Sequence, residues 1–376
     1  IGRLVGSEMC IRDRTTTGHY LEQILGNNTI FIGTNNENLF RDITKEKHLT
    51  SPKLFNILKF LGKPKNKTYE NIILEASSHA LDQERFKGIK FNTSGFTNLS
   101  RDHFDYHNNI NEYFEAKLKL FSKNLSDKFV YFDSEWGNKV KENSTIPSFK
   151  IGNNNDSNLR ILGEKLFPNI NLKIQINEDK HDINLNVTGP NFNLNFLLAL
   201  SMAYFSEKSD IQNYEENFQN IQNPKGRFEI INFKSNKIVV DYAHTPDAIK
   251  TTVDFVTQYF SSVIVVFGAG GDRDIEKRLL MGNATKNADQ IIITNDNPRN
   301  EDPEKIAKDI LEGCDKEKTV VILDRKEAIT YGINQLKENS VLLVLGKGHE
   351  MHQEIKNKKI NFNDFDYISD LIGDIN

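Results

Sequence analysis

The chain contains only two cysteines, Cys10 and Cys314, among its 376 residues. Two thiols so far apart exclude a disulfide framework and a four-cysteine zinc site, and they are typical of a reducing compartment. No apolar run is long enough to cross a membrane, and a net charge of −4 offers no excess of cations for nucleic acid or an anionic membrane. We therefore expect a cytoplasmic monomer whose partners are small molecules, with no nucleic acid and no membrane among them.

The first 14 residues, IGRLVGSEMCIRDR, carry neither a secretory signal nor an amphipathic targeting pattern. The run GSEMCIRDR is similar to translated sequencing-adapter read-through. We therefore expect residues 1–14 to be a non-native leader and the native sequence to begin near Thr15. With 38% hydrophobic and 27% charged residues, the chain has the composition of a globular protein and is long enough for two or three domains.

The last third of the chain alternates short β-branched runs with helical patterns, which predicts an α/β fold with a doubly wound parallel sheet. A helix is predicted over residues 303–313, with proline at its start and glycine at its end. The predicted strands are residues 238–240, 263–267, 291–294, 320–323 and 341–345.

A polar segment marked by glycine or proline directly follows four of these strands. Because ligands bind beyond the carboxyl ends of parallel strands, these segments predict a binding cleft along one edge of the sheet. A single such loop would more often be a plain turn. The segments are DYAHTPD (241–247), GAGGDRD (268–274), DNPR (296–299) and GKGHE (346–350).

The first 220 residues also follow an α/β pattern. The predicted elements are a strand at 72–74 that ends before Glu75, a second strand before the segment 96–107, helices at 110–121 and 196–205, and a meander or edge hairpins within 150–187. A joint marked by glycine and proline at 224–227 separates this part from the last third, so we predict domains at 15–225 and 226–376.

These motifs, in this order and at compatible spacing, resemble those of the Mur ligase family from about Thr15 to the end of the chain. Members of that family have three domains, which bind the UDP end of the substrate, bind and use ATP, and receive an amino acid. The resemblance implies that residues 15–225 are the central ATPase domain in incomplete form and that residues 226–376 are the Rossmann-like C-terminal domain. The first domain of the family would be missing.

The resemblance also implies a reaction, in which ATP phosphorylates the D-Glu carboxylate of UDP-MurNAc-L-Ala-D-Glu and an amine attacks the acyl phosphate. Phosphoryl transfer depends on positioning and on cations, so ATP and Mg2+ are the expected cofactors. By resemblance, the catalytic residues are Glu75, His103, Lys117 as a carbamate, and Arg227. The metal ligands would be Thr15, Glu75, His103 and the carbamate of Lys117, and the ATP contacts Thr15, Asn195, Arg227 and His244. Taken alone, Lys117 would be a solvated helix lysine, Arg227 a surface ion pair and His244 part of a turn.

Two further sets of residues match the substrate contacts of the family. The muramoyl dipeptide is expected at Thr50, Ser51, Ser77, Gln83 and Arg85, whose hydroxyl, amide and guanidinium groups suit a carboxylate-rich peptide. Without the resemblance, Thr-Ser-Pro would be read as a turn. The amino acid is expected at Arg273, Asp296, Asn297, Pro298, Arg299, Gly346 and Glu350, with the glycine allowing close backbone approach.

The motif Asp-Asn-Pro-Arg at 296–299 predicts which amino acid is added. Within the family it marks members that add meso-2,6-diaminopimelate, whereas lysine-adding members lack the arginine. Arg299 would clamp the distal carboxylate of diaminopimelate in a bidentate fashion, with Arg273 as a second cation. Asn297 and Glu350 suit an ammonium group.

The chain departs from the family pattern in its phosphate-binding loop. The family has Gly-Thr-Asn-Gly-Lys-Thr-Thr, whose backbone N–H groups and lysine hold the phosphates. Here only the threonines at 15–17 survive and Arg14 stands where the lysine should be, so we expect no ATP turnover by the chain as written. In GPNFNLN (189–195) the first family asparagine is displaced to Phe192, and Tyr131 replaces the asparagine of the adenosine motif.

Three alternatives remain open. A lysine-adding ligase has the same scaffold but is disfavoured by Arg299. Folylpolyglutamate synthase also shares the scaffold but gives no reason for the motif at 296–299. A non-catalytic fragment that binds the peptide and the amino acid is supported by the missing phosphate loop.

Overall fold

A computed structural model describes residues 3–8, 11–33, 51–63, 68–99, 106–207, 210–356 and 358–373 of the chain. The chain forms two compact units, Ile1–Pro224 and Lys225–Asn376, each with its own sheet. The division falls at the glycine- and proline-marked joint. Within the described ranges, no helix combines the length and the apolar character that a membrane span requires.

The first unit has, among its described residues, a nine-stranded sheet. Its strands are β1 (Arg3–Glu8), β2 (Thr29–Ile32), β3 (Asn71–Glu75), β4 (Thr93–Phe96), β5 (Phe129–Phe132), β6 (Ser148–Gly152), β7 (Leu159–Lys165), β8 (Ile170–Ile176) and β9 (Asp179–Leu185). The helices described there are α1 (Ile11–Leu25), α2 (Leu54–Leu61), α3 (Ser78–Asp82), α4 (Ile110–Leu118), α5 (Glu135–Asn143), α6 (Phe192–Glu207) and α7 (Gln212–Phe218).

The strand order in this sheet is β2-β3-β1-β4-β5-β6-β7-β8-β9. Neighbouring strands from β2 to β7 run parallel. Strands β7, β8 and β9 form antiparallel hairpins at one edge, which confirms the prediction for residues 150–187. Strand β1 lies between β3 and β4, so the segment predicted to be a leader supplies an interior strand. Its non-native origin stays a prediction.

Helix α6 begins at Phe192, earlier than predicted, because this residue reaches the core. The Phe192 ring is fully buried and meets Tyr20 of α1 edge-on, with ring centroids 6.2 Å apart. This packing accounts for the phenylalanine in the 189–195 motif. The helix predicted at 110–121 is α4 followed by a 3₁₀ turn, Lys119–Phe121.

The second unit has, within the described ranges, a six-stranded sheet in the order β10-β11-β15-β12-β13-β14 and a separate hairpin, β16-β17. The strands are β10 (Glu229–Phe233), β11 (Asn236–Asp241), β12 (Ser262–Phe267), β13 (Gln290–Ile293), β14 (Thr319–Val321), β15 (Ser340–Leu345), β16 (His352–Ile355) and β17 (Lys358–Asn361). The helices are α8 (Pro246–Val256), α9 (Glu276–Asn283), α10 (Pro303–Leu311), α11 (Arg325–Asn334) and α12 (Asp364–Gly373).

The five strands predicted from β-branched runs are confirmed as β11 to β15, and they all run parallel. Every residue of β15 is buried, as expected for a strand inside a sheet that helices cover. On one face, Leu342 and Val344 pack with Ile329 of α11 and Ile368 of α12. The predicted α/β fold is thereby confirmed.

The four predicted polar loops begin at the same edge of this sheet. Strands β11, β12, β13 and β15 end at Asp241, Phe267, Ile293 and Leu345, and parallel strands place their carboxyl ends together. The hairpin β16-β17 follows the last loop and was not predicted, because β17 is polar and exposed along its length.

Candidate active site

Glu75, the last residue of β3, has a buried carboxylate. Arg14, near the start of α1, places its Nε 3.2 Å from Glu75 Oε2. Both side chains are almost fully buried, so the guanidinium neutralises a carboxylate that burial alone would destabilise. The residue that stands in place of the family's phosphate-binding lysine thus forms an ion pair with a predicted metal ligand.

Oxygen donors of the kind that Mg2+ prefers are present in the first unit. Thr15 is fully buried in α1. Its hydroxyl and the Glu75 carboxylate are oxygen donors of the type that binds Mg2+. Two further predicted residues, Thr50 and His103, lie outside the described residues. Among the residues that the structure describes, no group of three or more His, Cys, Asp or Glu side chains is arranged to hold a metal ion.

Lys117 lies on α4 with its side chain fully buried, so the interpretation as a solvated helix lysine is wrong. Its Nζ stands 4.5 Å from the centre of the Tyr113 ring, one helical turn earlier. The buried ring of His107 lies 5.2 Å from the same tyrosine, and its Nε2 is 3.1 Å from Ser78 Oγ. Lys117 therefore occupies an aromatic interior site, and its carbamylation stays a prediction.

Asn195 joins α6 to the beginning of α1. Its Nδ2 donates a hydrogen bond to Asp13 Oδ1 at 3.1 Å, and its carbonyl oxygen accepts one from Thr17 Oγ1 at 3.3 Å. The side chain is almost completely buried. Asn195 thus orients the helix that follows the predicted phosphate site, and its contact with ATP stays a prediction.

Four of the five residues predicted to hold the muramoyl dipeptide form one hydrogen-bonded group. Ser51 Oγ donates to the carbonyl oxygen of Glu75 at 2.6 Å and accepts from the Ser77 N–H at 3.0 Å. Arg85 Nη1 donates to the carbonyl oxygen of Ser51 at 3.0 Å, and its Nη2 donates to Gln83 Oε1 at 2.7 Å. The structure therefore gathers hydroxyl, amide and guanidinium groups beside the end of β3.

In the second unit, the Tyr242 ring lies against two residues predicted to contact ATP. The guanidinium carbon of Arg227 and the ring of His244 each lie 4.5 Å from its centre. His244 Nδ1 is 2.8 Å from the Tyr242 carbonyl oxygen, so this nitrogen carries the proton and donates. Arg227 is fully buried, so its interpretation as a surface ion pair is wrong. Tyr242 was not predicted from the sequence, although its place directly after β11 was a signal.

The loops after β13 and β15 meet at a buried lysine, Lys347. Its Nζ donates to Glu350 Oε2 at 2.8 Å, to Asn297 Oδ1 at 3.2 Å and to the His352 carbonyl oxygen at 2.7 Å. Asn297 Nδ2 donates to the same Glu350 oxygen at 2.8 Å. Asn297 is therefore engaged within the protein, whereas the Glu350 side chain is 32% exposed. Asn297 and Glu350 were predicted from the sequence, whereas Lys347 was not.

Burial and charge act in opposite directions on the two acids of this site. Burial raises the pKa of Asp296, although Lys347 offsets part of the effect. Burial also favours the neutral form of Glu350, but the adjacent Lys347 charge prevails and lowers the pKa of this carboxyl. Glu350 is thus ionised at neutral pH, which suits a ligand ammonium group.

Gly346 has a φ of +111°, and a Cβ added there would lie 2.5 Å from Asp296 Oδ2. This supports the predicted close approach of the backbone. Of the predicted amino-acid contacts, Asp296, Asn297, Pro298 and Gly346 are buried, Arg299 and Glu350 are partly exposed, and Arg273 is exposed.

Arg299 adopts a left-handed backbone conformation with a φ of 52°. The hairpin β16-β17 supports it, because the Arg299 N–H donates to the Glu354 carbonyl oxygen at 3.0 Å and the Lys356 N–H donates to the Arg299 carbonyl oxygen at 2.7 Å. The guanidinium is aimed by two contacts, from Nη1 to the Gly271 carbonyl oxygen at 2.7 Å and from Nε to Glu354 Oε2 at 3.3 Å.

Models of two protein-family domains match the chain in order. One, described as the Mur ligase middle domain, matches residues 14–203, and the other, described as the Mur ligase, glutamate ligase domain, matches residues 226–348. These domains build ATP-dependent ligases, and that is the class which the fold and the site define.

Individual proteins similar in sequence to the chain are also ligases of this kind. The chain is 36% identical over 368 residues to the UDP-N-acetylmuramoyl-L-alanyl-D-glutamate--2,6-diaminopimelate ligase of Aquifex aeolicus, over 96% of this chain and 75% of the relative. It is 38% identical over 343 residues to the ligase of the same name from Rickettsia montanensis, over 88% of this chain and 70% of the relative. The chain belongs to the Mur ligase family, which confirms the prediction from its motifs.

Solved structures show the same architecture. One named for the diaminopimelate ligase covers 100% of this chain and 79% of its own, with a TM-score of 0.68 and 27% identity. MurF from Acinetobacter baumannii covers 99% of this chain and 76% of its own, with a TM-score of 0.71. At 13% identity the second likeness shows the shared fold alone.

Proposed function

We propose that this protein belongs to the ligases that add meso-2,6-diaminopimelate to UDP-MurNAc-L-Ala-D-Glu with ATP and Mg2+. The observation that carries the proposal is the charge pattern of two adjoining loops, where a partly exposed guanidinium, Arg299, accompanies an ionised and partly exposed carboxylate, Glu350. One suits a ligand carboxylate and the other a ligand ammonium group. The names of the Aquifex and Rickettsia relatives support the same substrates.

The proposed reaction makes one amide bond. The γ-phosphoryl group of ATP moves to a carboxylate oxygen of D-Glu, giving ADP and an acyl phosphate. The amine of the amino acid attacks the acyl carbon and loses a proton as inorganic phosphate leaves. Bound Mg2+ supplies charge neutralisation in such chemistry, and Thr15 and Glu75 are the described residues that would hold it.

Selectivity for diaminopimelate follows from Arg299 in this proposal. Its guanidinium binds the distal carboxylate, and Glu350 binds the ammonium group at the same end of diaminopimelate. The amine at the opposite end is then left to react. Lysine lacks the distal carboxylate, so its binding would desolvate Arg299 without adding a ligand carboxylate to the contacts with Gly271 and Glu354. The lysine-adding alternative is therefore disfavoured.

We also infer that the chain as written does not turn over ATP. The segment 10–14 lacks the glycines and the lysine of a phosphate-binding loop. The Arg14 guanidinium lies on Glu75, where it competes with a metal ion for the carboxylate. This ion pair favours the alternative in which the chain binds substrates without catalysis.

The test compares the chain with a repaired variant that carries Cys10→Gly, Ile11→Thr, Arg12→Asn, Asp13→Gly and Arg14→Lys. Phosphate release is measured with ATP, Mg2+, UDP-MurNAc-L-Ala-D-Glu and either meso-diaminopimelate or lysine. Release by the repaired variant with diaminopimelate but not lysine supports the proposal, and release with lysine alone moves the assignment to the lysine-adding ligase. Release with neither favours the binding fragment, and turnover by the unrepaired chain contradicts the inference about ATP.

A further inference from the structure

A single guanidinium links the origins of the two loops that carry the proposed amino-acid site. Arg325, the first residue of α11, donates from Nη1 to the carbonyl oxygen of Asn295 at 3.2 Å and from Nη2 to that of Leu345 at 3.0 Å. Asn295 directly precedes the 296–299 segment, and Leu345 directly precedes the 346–350 segment. This side chain therefore ties the two loops together at their origins, in addition to the hydrogen bonds that Lys347 and Glu350 make with Asn297 within the loops.

The sheet does not set the spacing between the two loops directly. Strands β13 and β15 are not neighbours, because β12 lies between them. No ladder of backbone hydrogen bonds joins their carboxyl ends directly, and the Arg325 guanidinium reaches a carbonyl oxygen at both of them. The flat guanidinium fork can donate in several fixed directions at once, which a lysine ammonium on its flexible stem cannot do.

Asp364, the first residue of α12, holds this guanidinium in place. Its Oδ1 accepts from Arg325 Nε and its Oδ2 accepts from Arg325 Nη2, each at 2.7 Å. The two side chains are 1% and 0% exposed, so water does not compete for these bonds. A bidentate pair in this setting fixes the plane of the guanidinium and therefore the directions of its remaining N–H groups.

We propose that Arg325 and Asp364 are positioning residues of the amino-acid site, which hold the loops at 296–299 and 346–350 at the separation that a two-headed diamino acid requires. Neither residue touches the ligand. The ligand class rests on the proposed function, whereas the mechanical link between the loops does not. Helix α12 thereby acts on a site to which it contributes no binding group.

The first experiment measures hydrogen–deuterium exchange of the full chain without any ligand. Asp364→Asn keeps the size of the side chain but removes its charge, and Ile368→Ala is the matched control because Ile368 is a buried core residue of the same helix. We expect Asp364→Asn to raise exchange about tenfold in peptides from both loops. The control should raise exchange in α12 and in β15, against which Ile368 packs, and leave the loop at 296–299 at the wild-type rate.

Three results would overturn the proposal. These are wild-type exchange of both loops in Asp364→Asn, faster exchange of only one loop, or equal loosening of the loops in Ile368→Ala at a matched loss of stability. Should Asp364→Asn fail to fold, Arg325→Lys takes its place. That variant keeps a cation beside Asp364 but cannot reach both carbonyl oxygens, so the loops should loosen while α12 stays protected.

A kinetic experiment in the repaired variant separates this proposal from the proposed function. Asp364→Asn should raise KM for meso-diaminopimelate about tenfold with little change in kcat, and Ile368→Ala should leave KM unchanged. Absence of diaminopimelate-dependent phosphate release before any positioning substitution counts against the proposed function alone. Release with equal KM values in the two substituted proteins counts against the positioning role alone.

Discussion

Lys347 and Glu350 form an ion pair in which Nζ lies 2.8 Å from Oε2, and the lysine is fully buried while the carboxylate is 32% exposed. The buried cation therefore keeps a partly exposed anion ionised at the edge of the sheet. Because Asn297 also contacts both groups, the pair connects the loops after β13 and β15 on the side of the proposed ligand.

Substituting Lys347→Met should weaken both stability and amino-acid binding. The change leaves Glu350 without its cation, so the pKa of this carboxyl should rise and its orientation should loosen. We expect the free energy of unfolding to fall by roughly 3 kcal/mol in urea titrations. In the repaired variant, KM for diaminopimelate should rise about tenfold. Lys337→Met, at an exposed position of the same unit, is the control, and an unchanged KM in Lys347→Met would refute the role given to the lysine.

Gly346→Ala tests the close approach of the loop backbone to Asp296. A Cβ at this position would lie 2.5 Å from Asp296 Oδ2 and would have to tolerate a φ of +111°. We expect a loss of about 2 kcal/mol or more in the free energy of unfolding. Gly373→Ala, where an added Cβ meets no atom within 4 Å, should be close to neutral. Equal stability of the two variants would show that the loop accommodates the added methyl group with no loss in the free energy of unfolding.

Arg299→Lys tests the selectivity of the amino-acid site. The substitution keeps the positive charge but loses the planar fork and its hydrogen bond to the Gly271 carbonyl oxygen. In the repaired variant, kcat/KM with diaminopimelate should fall by on the order of 100-fold, equivalent to about 3 kcal/mol. Arg160→Lys in the first unit serves as the control. Full activity of Arg299→Lys would show that the arginine is not required for recognition of the substrate.

His19 should contribute to the acid sensitivity of the first unit. Burial lowers its pKa from 6.5 to about 4, so the folded protein holds the ring neutral where the unfolded chain would protonate it. The stability from this residue is complete above pH 6.5 and is lost as the pH falls from 6.5 to about 4, by up to about 3 kcal/mol. His19→Gln should flatten this part of the stability profile, measured by urea unfolding from pH 7 to 4. His352→Gln, at an exposed site, should keep the slope, and an unchanged slope in His19→Gln would contradict the prediction.

The parallel strands of the second unit were predictable because buried strands are continuous apolar runs, as in β12 and β15. The loops after these strands were predicted to lie along one edge of the sheet, because parallel strands place their carboxyl ends together. The burial of Lys347 and Arg325 was not predictable, because it depends on partners that the fold supplies. Arg325 and Asp364 are 39 residues apart in sequence, and no local pattern indicates that they meet.

In the first unit, the sequence motifs named Ser51, Ser77, Gln83 and Arg85 as one set, and the structure joins them through hydrogen bonds. The ion pair between Arg14 and Glu75 could not be foreseen in the same way. The prediction of a leader over residues 1–14 implies no contact from them.

Strand β15 lies between β11 and β12, yet it is the last of the parallel strands to leave the ribosome. The earlier strands cannot reach their final spacing until β15 inserts between them. Until then the facing edges of β11 and β12 lack their partner and are open to pairing with other nascent chains. The second unit therefore cannot complete its sheet before residues 340–345 are available, and a chaperone that shields these edges would be most useful until then.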